Sequence, residues 1–454
     1  MWWMVWSACK PHPDPTQIAQ PTATTATTAT TAETGVPGRP PLLALDPAPT
    51  NLLMISIDTL RRDHVDRYAA DGIVRMPFLT ALLGESVVLD DHRQCSNWTF
   101  ASTNCTLSGL YLEEGAFMPR FGPDGSPIPE GQPTLARYLG TFEVLSHLET
   151  TNKYLSDQVG NAQGYTQSNL RAGPATEVFE RGIEALSQQL AGAPPERWFL
   201  HLHLYEPHLP YVPPGQYLDE ARALPPTQWD LEHDLGQSLA IAAYPGLSPQ
   251  ERAEVDAQLR ARYTADVRWL DDQLLAGWSL LEQGGWLDDT LVVIWTDHGE
   301  AFWEHDLQGH AKLLTREEND AVLAFWAPGL TPTAWGEPTH AVDLVPTVLD
   351  ALKIPLPEGL SGEILGTADP RRPMFATTSG YAGVYQSVVA DGSKLHLGWD
   401  GSLQLWDLRV DPLEQRDRYA PDDPVAQALW EQLEPRVRLL QPLIPEAQVI
   451  WPSR

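Results

Sequence analysis

Four apolar runs punctuate the chain, and three of them stop at residues able to bind a cation. Asn51–Ile57 (Asn-Leu-Leu-Met-Ile-Ser-Ile) is almost unbroken and ends at Asp58. Leu291–Thr296 ends at Asp297-His298, and Phe199–Tyr205 ends at Glu206-Pro207-His208. Ala321–Trp326 is the fourth run. Continuous apolar stretches of this length predict strands buried on both faces, as in a parallel sheet. Ligands of open α/β sheets gather beyond the carboxyl ends of the strands, where these polar residues fall.

Between the second and third chain segments the period changes from strand to helix. Ser248 is an N-cap, Pro249 fits the first helical position, and Glu251 completes a capping box. Val255, Leu259, Tyr263, Val267, Leu270, Leu274, Trp278 and Leu281 then recur at spacings of three and four, predicting a long amphipathic helix that Gly284-Gly285 stops. After about residue 367, short alternating segments with turns at Asp391-Gly392 and Asp400-Gly401 predict a small antiparallel sheet, and a helix follows over Pro424–Leu440.

The chain has 454 residues and a formal net charge of −30. That field repels nucleic acid and anionic lipid, so no nucleic-acid partner is expected, and an anionic substrate needs a local positive centre such as a metal. No stretch of 18 apolar residues occurs, which excludes a transmembrane helix. The cysteines are Cys9, Cys95 and Cys105, too few for a disulfide scaffold or a Cys-rich zinc module. Residues 1–9 resemble a bacterial lipoprotein signal: an apolar, Trp-rich run, then Ser7-Ala8-Cys9. Residues 10–48 carry a Thr/Ala repeat and many prolines and read as a disordered tether. The resemblance implies an exported lipoprotein, periplasmic or on the cell surface of a bacterium, with a lipid anchor at Cys9. In such an oxidising space Cys95 and Cys105 either form a bridge or remain two buried thiols.

Asp58, Asp297 and His298 offer oxygen and nitrogen ligands to one divalent cation if their strands are neighbours; otherwise Asp58 simply caps a helix near Leu60. Around these positions stand six ordered motifs. They are Ile57-Asp58-Thr59-Leu60-Arg61-Arg62-Asp63-His64; Ser96 to Thr103 with Leu107-Ser108-Gly109-Leu110-Tyr111; Tyr205-Glu206-Pro207-His208-Leu209-Pro210-Tyr211; Thr296-Asp297-His298-Gly299-Glu300 with Gly309-His310; His340 to Thr347; and Leu405-Trp406-Asp407-Leu408 before Asp411-Pro412-Leu413-Glu414. Together they resemble the sulfatase family of the alkaline-phosphatase superfamily over roughly residues 50–420.

The resemblance implies a large, mostly parallel α/β sheet flanked by helices (49–366) and a small C-terminal antiparallel α+β subdomain (367–454). It implies Asp58, Asp297 and His298 as metal ligands, Thr99 as nucleophile, and His208, His310 and Lys312 around the oxygens of the ester. His201 and His203 share one face of a strand and read as packing or hydrogen-bonding residues. The departures are chemical. Sulfatases proper place a Cys or Ser at the nucleophile, convert it to formylglycine, and follow it with Pro, Ser and Arg; here Thr99, Ala101 and Thr103 stand at the nucleophile, Pro and Arg positions. No formylglycine is expected. Thr59 replaces a second Asp after Asp58, and the family's Ca²⁺ loses ground to Mn²⁺ or Zn²⁺ when a His replaces an oxygen ligand. The reading is a metal-dependent hydrolase of sulfate or phosphate esters acting on a small-molecule, glycan or lipid ester. Its rivals are a phosphoglycerol- or phosphoethanolamine-type transferase and a non-catalytic binding protein on the same fold.

Overall fold

A computed structural model describes residues 36–115, 128–191, 197–380 and 383–441. The strands are β1 Asn51–Ile57, β2 Val87–Arg93, β3 Leu145–Thr150, β4 Gln167–Leu170, β5 Trp198–Leu204, β6 Thr290–Thr296, β7 Ala301–Phe302, β8 Gln308–Gly309, β9 Leu323–Trp326, β10 Thr333–His340, β11 Met374–Thr378, β12 Tyr385–Ala390, β13 Ser393–Leu397 and β14 Leu403–Asp407. Eight of them form the main sheet in the order β10-β2-β9-β6-β1-β5-β3-β4. All are mutually parallel except β9, which opposes both β2 and β6.

The apolar runs are continuous because helices cover both faces. Along β1, Leu53, Ile55 and Ile57 enter one core with the long helix Pro249–Gln283, while Leu52 and Met54 enter the opposite core with helix Leu344–Ala351. Alternation of side chains across a strand produces this division. The long helix starts at the expected capping box, Ser248 with Glu251, and its apolar stripe is buried from Val255 to Leu281. The register sets the site: Ile57 lies beside Thr296 of β6 and Leu204 of β5, so Asp58 and Asp297 leave the sheet side by side.

The C-terminal strands form an antiparallel sheet in chain order, β11-β12-β13-β14. Asp391 and Gly392 turn between β12 and β13 with φ of 47° and 69°, as a two-residue hairpin loop matching the strand twist requires. Helix Pro424–Leu440 buries Leu429, Leu433 and Val437 in a core shared with Val388, Leu395 and Leu405. That core also contains Trp98 and Phe100, so the small sheet buttresses the segment carrying Thr99.

One segment departs from the expectation. Residues 36–48, read as part of the tether, run along the body: Leu43 and Leu45 are buried, and Leu42 N donates to Leu365 O at 2.8 Å. Proline-rich composition masked the leucines that anchor this segment. The signal expected over 1–9 and the remainder of the tether to residue 35 lie outside the described residues. Among the described residues no helix is long and apolar enough to cross a membrane.

Two features brace the segments around the strand ends. Cys95 and Cys105 form a disulfide, with Cα atoms 6.6 Å apart, closing a loop of sequence separation 10 around Thr99. A loop of that size restricts the unfolded chain by about 3 kcal/mol. Replacing both cysteines by alanine therefore lowers the urea midpoint, with a slope no smaller than that of wild type because the unfolded chain is released. The second brace is Glu304, which accepts from Arg61 Nη1 at 2.6 Å and from Arg260 Nη1 at 3.1 Å. Burial raises its pKa, but the two guanidiniums outweigh burial and bring it from 4.5 down to about 2. Its folded pKa is below its unfolded one, so the unfolded state binds more protons in that window. Stability from this group is present above pH 4.5 and is lost as pH falls towards 2. Glu304→Gln should flatten that part of the acid-unfolding curve, as measured by urea melts at stepped pH.

Candidate active site

Helix Thr99–Ser108 begins with Thr99 as its first helical residue and Trp98, in extended backbone, as its N-cap. The helix ends at Gly109, whose φ is 71° and where a Cβ would meet Leu360 Cδ2 at 3.0 Å. Both conditions favour glycine. Thr99 is buried, and its Oγ1 lies 3.4 Å from Asp58 Oδ2 and 3.4 Å from His298 Nε2. The cysteines nearest it in sequence are joined to each other, so neither occupies this place.

Asp58, Asp297 and His298 are each wholly buried. His298 Nε2 lies 3.5 Å from Asp58 Oδ1 and 3.6 Å from Asp297 Oδ2. The structure thus brings the three expected ligand residues and Thr99 together. It also adds two residues that sequence reasoning missed. His203, the penultimate residue of β5, places Nε2 3.6 Å from Asp58 Oδ2, and one ligand atom each from Asp58, His203 and Asp297 lies within 4.8 Å of the others. The sequence leads one to expect His203 only to pack or to hydrogen-bond: its face of β5 lies against apolar core at Phe199 and His201, but at the strand end it reaches Asp58. Asn152, two residues past β3, donates through Nδ2 to Asp58 Oδ2 at 2.6 Å and to Thr99 Oγ1 at 3.1 Å.

The fit of these residues to a divalent cation is tested by their unmet bonding capacity. Asp58 Oδ1, Asp297 Oδ2 and His203 Nε2 are buried and have no hydrogen-bond partner. Buried polar atoms are normally paired, because leaving them unpaired costs the full desolvation penalty. Burial, together with the neighbouring Asp58, pushes the Asp297 carboxyl well above its usual range, and burial, then His310, pushes His298 down to about 3. Ligand atoms of Asp58, His203 and Asp297 within 4.8 Å of one another, with His298 Nε2 3.5 and 3.6 Å from the two carboxylates, fit a divalent cation held by mixed oxygen and nitrogen donors.

The turn after Asp58 is shaped by Thr59, a β-branched residue at a φ of 51°, in the left-handed region. It is held there by Tyr263, whose hydroxyl donates to Thr59 O at 2.8 Å and accepts from Arg61 N at 2.8 Å, while Thr59 N donates to Asp297 Oδ1 at 3.3 Å. This turn holds both carboxylates to the sheet end.

A cavity of about 730 Å³ opens onto Thr99. His208, His310, Lys312, Asn152 and Lys153 line it, with Tyr154, Tyr205, Leu209 and Ile241 on its apolar walls. The His208 and His310 rings lie 5.1 Å apart, and His310 lies 4.5 Å from the His298 ring. His310 Nδ1 pairs with Glu300 Oε1 at 3.1 Å, and Tyr211 donates to Glu300 Oε2 at 3.0 Å. Burial lowers the His310 pKa, but Glu300 outweighs burial and raises it above the ordinary value. Lys312 Nζ donates to Gln308 O. Each residue expected around the ester therefore lines one cavity. Glu300, which orients His310, was legible only as part of the Asp-His-Gly-Glu motif.

A mostly parallel, helix-flanked sheet with buried carboxylates, histidines and a helix-borne hydroxyl at its strand ends has the alkaline-phosphatase-like hydrolase fold. The Sulfatase family model matches residues 50–354, and the chain belongs to the Sulfatase family, a family of ester hydrolases. No curated protein matches it in sequence. Among solved structures the fold is similar to BT4656 in complex with its substrate D-glucosamine-2-N,6-O-disulfate, with a TM-score of 0.70 and 16% identity over 88% of this chain and 100% of that one. It is similar to a phosphonate monoester hydrolase from Silicibacter pomeroyi, with a TM-score of 0.63 and 21% identity over 88% of this chain and 96% of that one. The phosphonate monoester hydrolase of Agrobacterium radiobacter gives a TM-score of 0.63 and 18% identity over 86% and 95% of the two chains.

Proposed function

We propose that this protein is a metal-dependent ester hydrolase that uses the unmodified Thr99 hydroxyl as its nucleophile, with phosphorus esters favoured over sulfate esters. The observation that carries the reading is the placement of Thr99 Oγ1, 3.4 Å from both Asp58 and His298, at the floor of a cavity lined by His208, His310 and Lys312. A divalent cation held by Asp58, Asp297, His203 and His298 would polarise the ester and lower the pKa of the Thr99 hydroxyl. Asn152 orients that hydroxyl by its hydrogen bond. Thr99 Oγ gives its proton to Asp58 Oδ2, 3.4 Å away, and attacks the phosphorus in line; the Oγ–P bond forms as the bond to the leaving oxygen breaks, and the leaving oxygen takes a proton from the imidazolium of His310, whose Nδ1 Glu300 holds. His208 and Lys312 stabilise charge on the transferring group. Water then gives a proton to His310, which the first step left neutral, and attacks the phosphorus; the Oγ–P bond breaks and Thr99 Oγ recovers its proton from Asp58.

Phosphorus is favoured because a threonine phosphoester releases its group to water by the same in-line chemistry. The sulfate route of the family depends on an aldehyde that Thr99 does not provide. Export as a lipoprotein anchored at Cys9 is part of the same reading, supported by the Ser-Ala-Cys context and by a disulfide suited to an oxidising compartment.

The test is a panel of chromogenic aryl phosphate, phosphodiester, phosphonate and sulfate esters with Mn²⁺, Zn²⁺ and Ca²⁺. The expected result is faster turnover of a phosphorus ester with Mn²⁺ or Zn²⁺ than of any sulfate. Transfer to an added alcohol in preference to water would make the protein a transferase. No turnover of any member with any metal would leave a binding protein on a hydrolase fold.

A further inference from the structure

The imidazole that the strand-end cluster acquires from β5 does not stand alone. His203 Nδ1 lies 2.8 Å from Ser56 Oγ, Ser56 Oγ lies 2.9 Å from His201 Nε2, and His201 Nδ1 lies 2.7 Å from the Tyr165 hydroxyl. Ser56, His201 and His203 are wholly buried. The register of the parallel strands explains the contact: Ser56 of β1 sits directly beside His203 of β5, and His201, two residues earlier, points to the same face. The chain of side chains therefore runs inside the sheet layer from the strand-end cluster to Tyr165. At its other end, His203 Nε2 is a ring nitrogen without a hydrogen-bond partner, facing two carboxylates that also carry unpartnered oxygens.

We propose that Ser56, His201 and Tyr165 are positioning residues that fix the tautomer of His203 and aim its Nε2 lone pair at the metal, so that His203 supplies the ligand that Thr59 does not. This rests on the metal-dependent reading above. The hydrogen-bond logic is directional. A ligating Nε2 keeps its lone pair, so the ring hydrogen is on Nδ1 and is donated to Ser56 Oγ. The Ser56 hydroxyl then donates to His201 Nε2, and His201 Nδ1–H donates to the Tyr165 oxygen. Every buried nitrogen of the chain is satisfied, and the single atom left over is the one facing the cation. Without such partners a buried imidazole can rotate or change tautomer. Groups that hold the second nitrogen of a metal-bound histidine typically change metal affinity by about 10–100-fold when removed.

Thr59 makes the arrangement necessary. Its side chain leaves the site with one acidic group fewer than the family pattern, and its Oγ1 is buried without a hydrogen-bond partner, so it offers the turn no compensating bond. A neutral imidazole in exchange for a carboxylate lowers the negative charge of the site by one and selects borderline cations over hard ones.

The experiment measures Zn²⁺ affinity by competition with a chromogenic chelator, alongside the number of imidazoles in the zinc shell by X-ray absorption. It compares wild type, His203→Ala, Ser56→Ala and His201→Phe. Thermal melts of each metal-free protein report folding separately. Expected is a shell with two imidazoles in wild type, from His203 and His298, and one in His203→Ala. Ser56→Ala and His201→Phe should bind Zn²⁺ roughly 10–100-fold more weakly with metal-free melts close to wild type. Ser56→Thr, which keeps the hydroxyl, should restore most of the affinity. Equal imidazole counts in wild type and His203→Ala would overturn His203 as a ligand while leaving a metal enzyme. Wild-type affinity in Ser56→Ala would overturn the positioning role. Failure of wild type to bind Zn²⁺ would overturn both this proposal and the metal-dependent function.

Discussion

Thr99→Ala should lose roughly a thousandfold or more in kcat on the best substrate of the ester panel while binding metal and melting like wild type. Its Oγ1 accepts one hydrogen bond, from Asn152, and makes only long contacts with Asp58 and His298, so little stability depends on it. The substitution removes Oγ1 and the Cγ2 methyl and keeps only Cβ, and the helix gains a residue of higher propensity. Thr99→Ser keeps the hydroxyl but releases the stiff χ1 of a β-branched residue, so part of the rate survives. Steady-state kinetics with metal content measured in parallel separates the loss of the nucleophile from the loss of the ion. Wild-type turnover by Thr99→Ala would reduce Thr99 to the first residue of its helix.

The second large effect falls on the ion itself. Asp297→Asn should reduce bound metal from about one ion per chain to a small fraction of that, and activity should fall with it. Asp297 is wholly buried, one of its oxygens holds the Thr59 amide at 3.3 Å, and the other is unpartnered. The amide variant preserves shape and removes the charge. It also relieves the repulsion with Asp58 that burial intensifies, so the metal-free protein should melt no lower than wild type. A variant that is more stable when metal-free, inactive and metal-poor is the signature of a ligand. One that is destabilised yet retains its metal would identify a structural carboxylate.

Much of this was legible in the chain because apolar continuity and strand-end chemistry are local signals. Asn51–Ile57 with Asp58, and Leu291–Thr296 with Asp297-His298, each announce a buried strand and a ligand in one stretch. The helix from Pro249 was legible through its cap and its stripe. What the sequence hid were residues whose meaning depends on register. His201 and His203 alternate within an apolar strand, which is also how packing histidines look; only the approach of His203 to Asp58 in three dimensions shows that it reaches the cluster. Asn152 follows β3, a polar strand (Leu-Ser-His-Leu-Glu-Thr) without an apolar run to mark it. Residues 36–48 were obscured by prolines although Leu43 and Leu45 are core residues.

The central claim is that the transferring group passes through a covalent bond to Thr99. Rapid acid quench during turnover of an aryl phosphate, followed by peptide mass analysis, tests it most directly. A peptide containing Thr99 should carry one additional phosphoryl group, absent from Thr99→Ala, and should lose it when turnover is allowed to finish. An unmodified Thr99 peptide under conditions where product forms in a burst, or the same modification on the Thr99→Ala protein, would contradict the account.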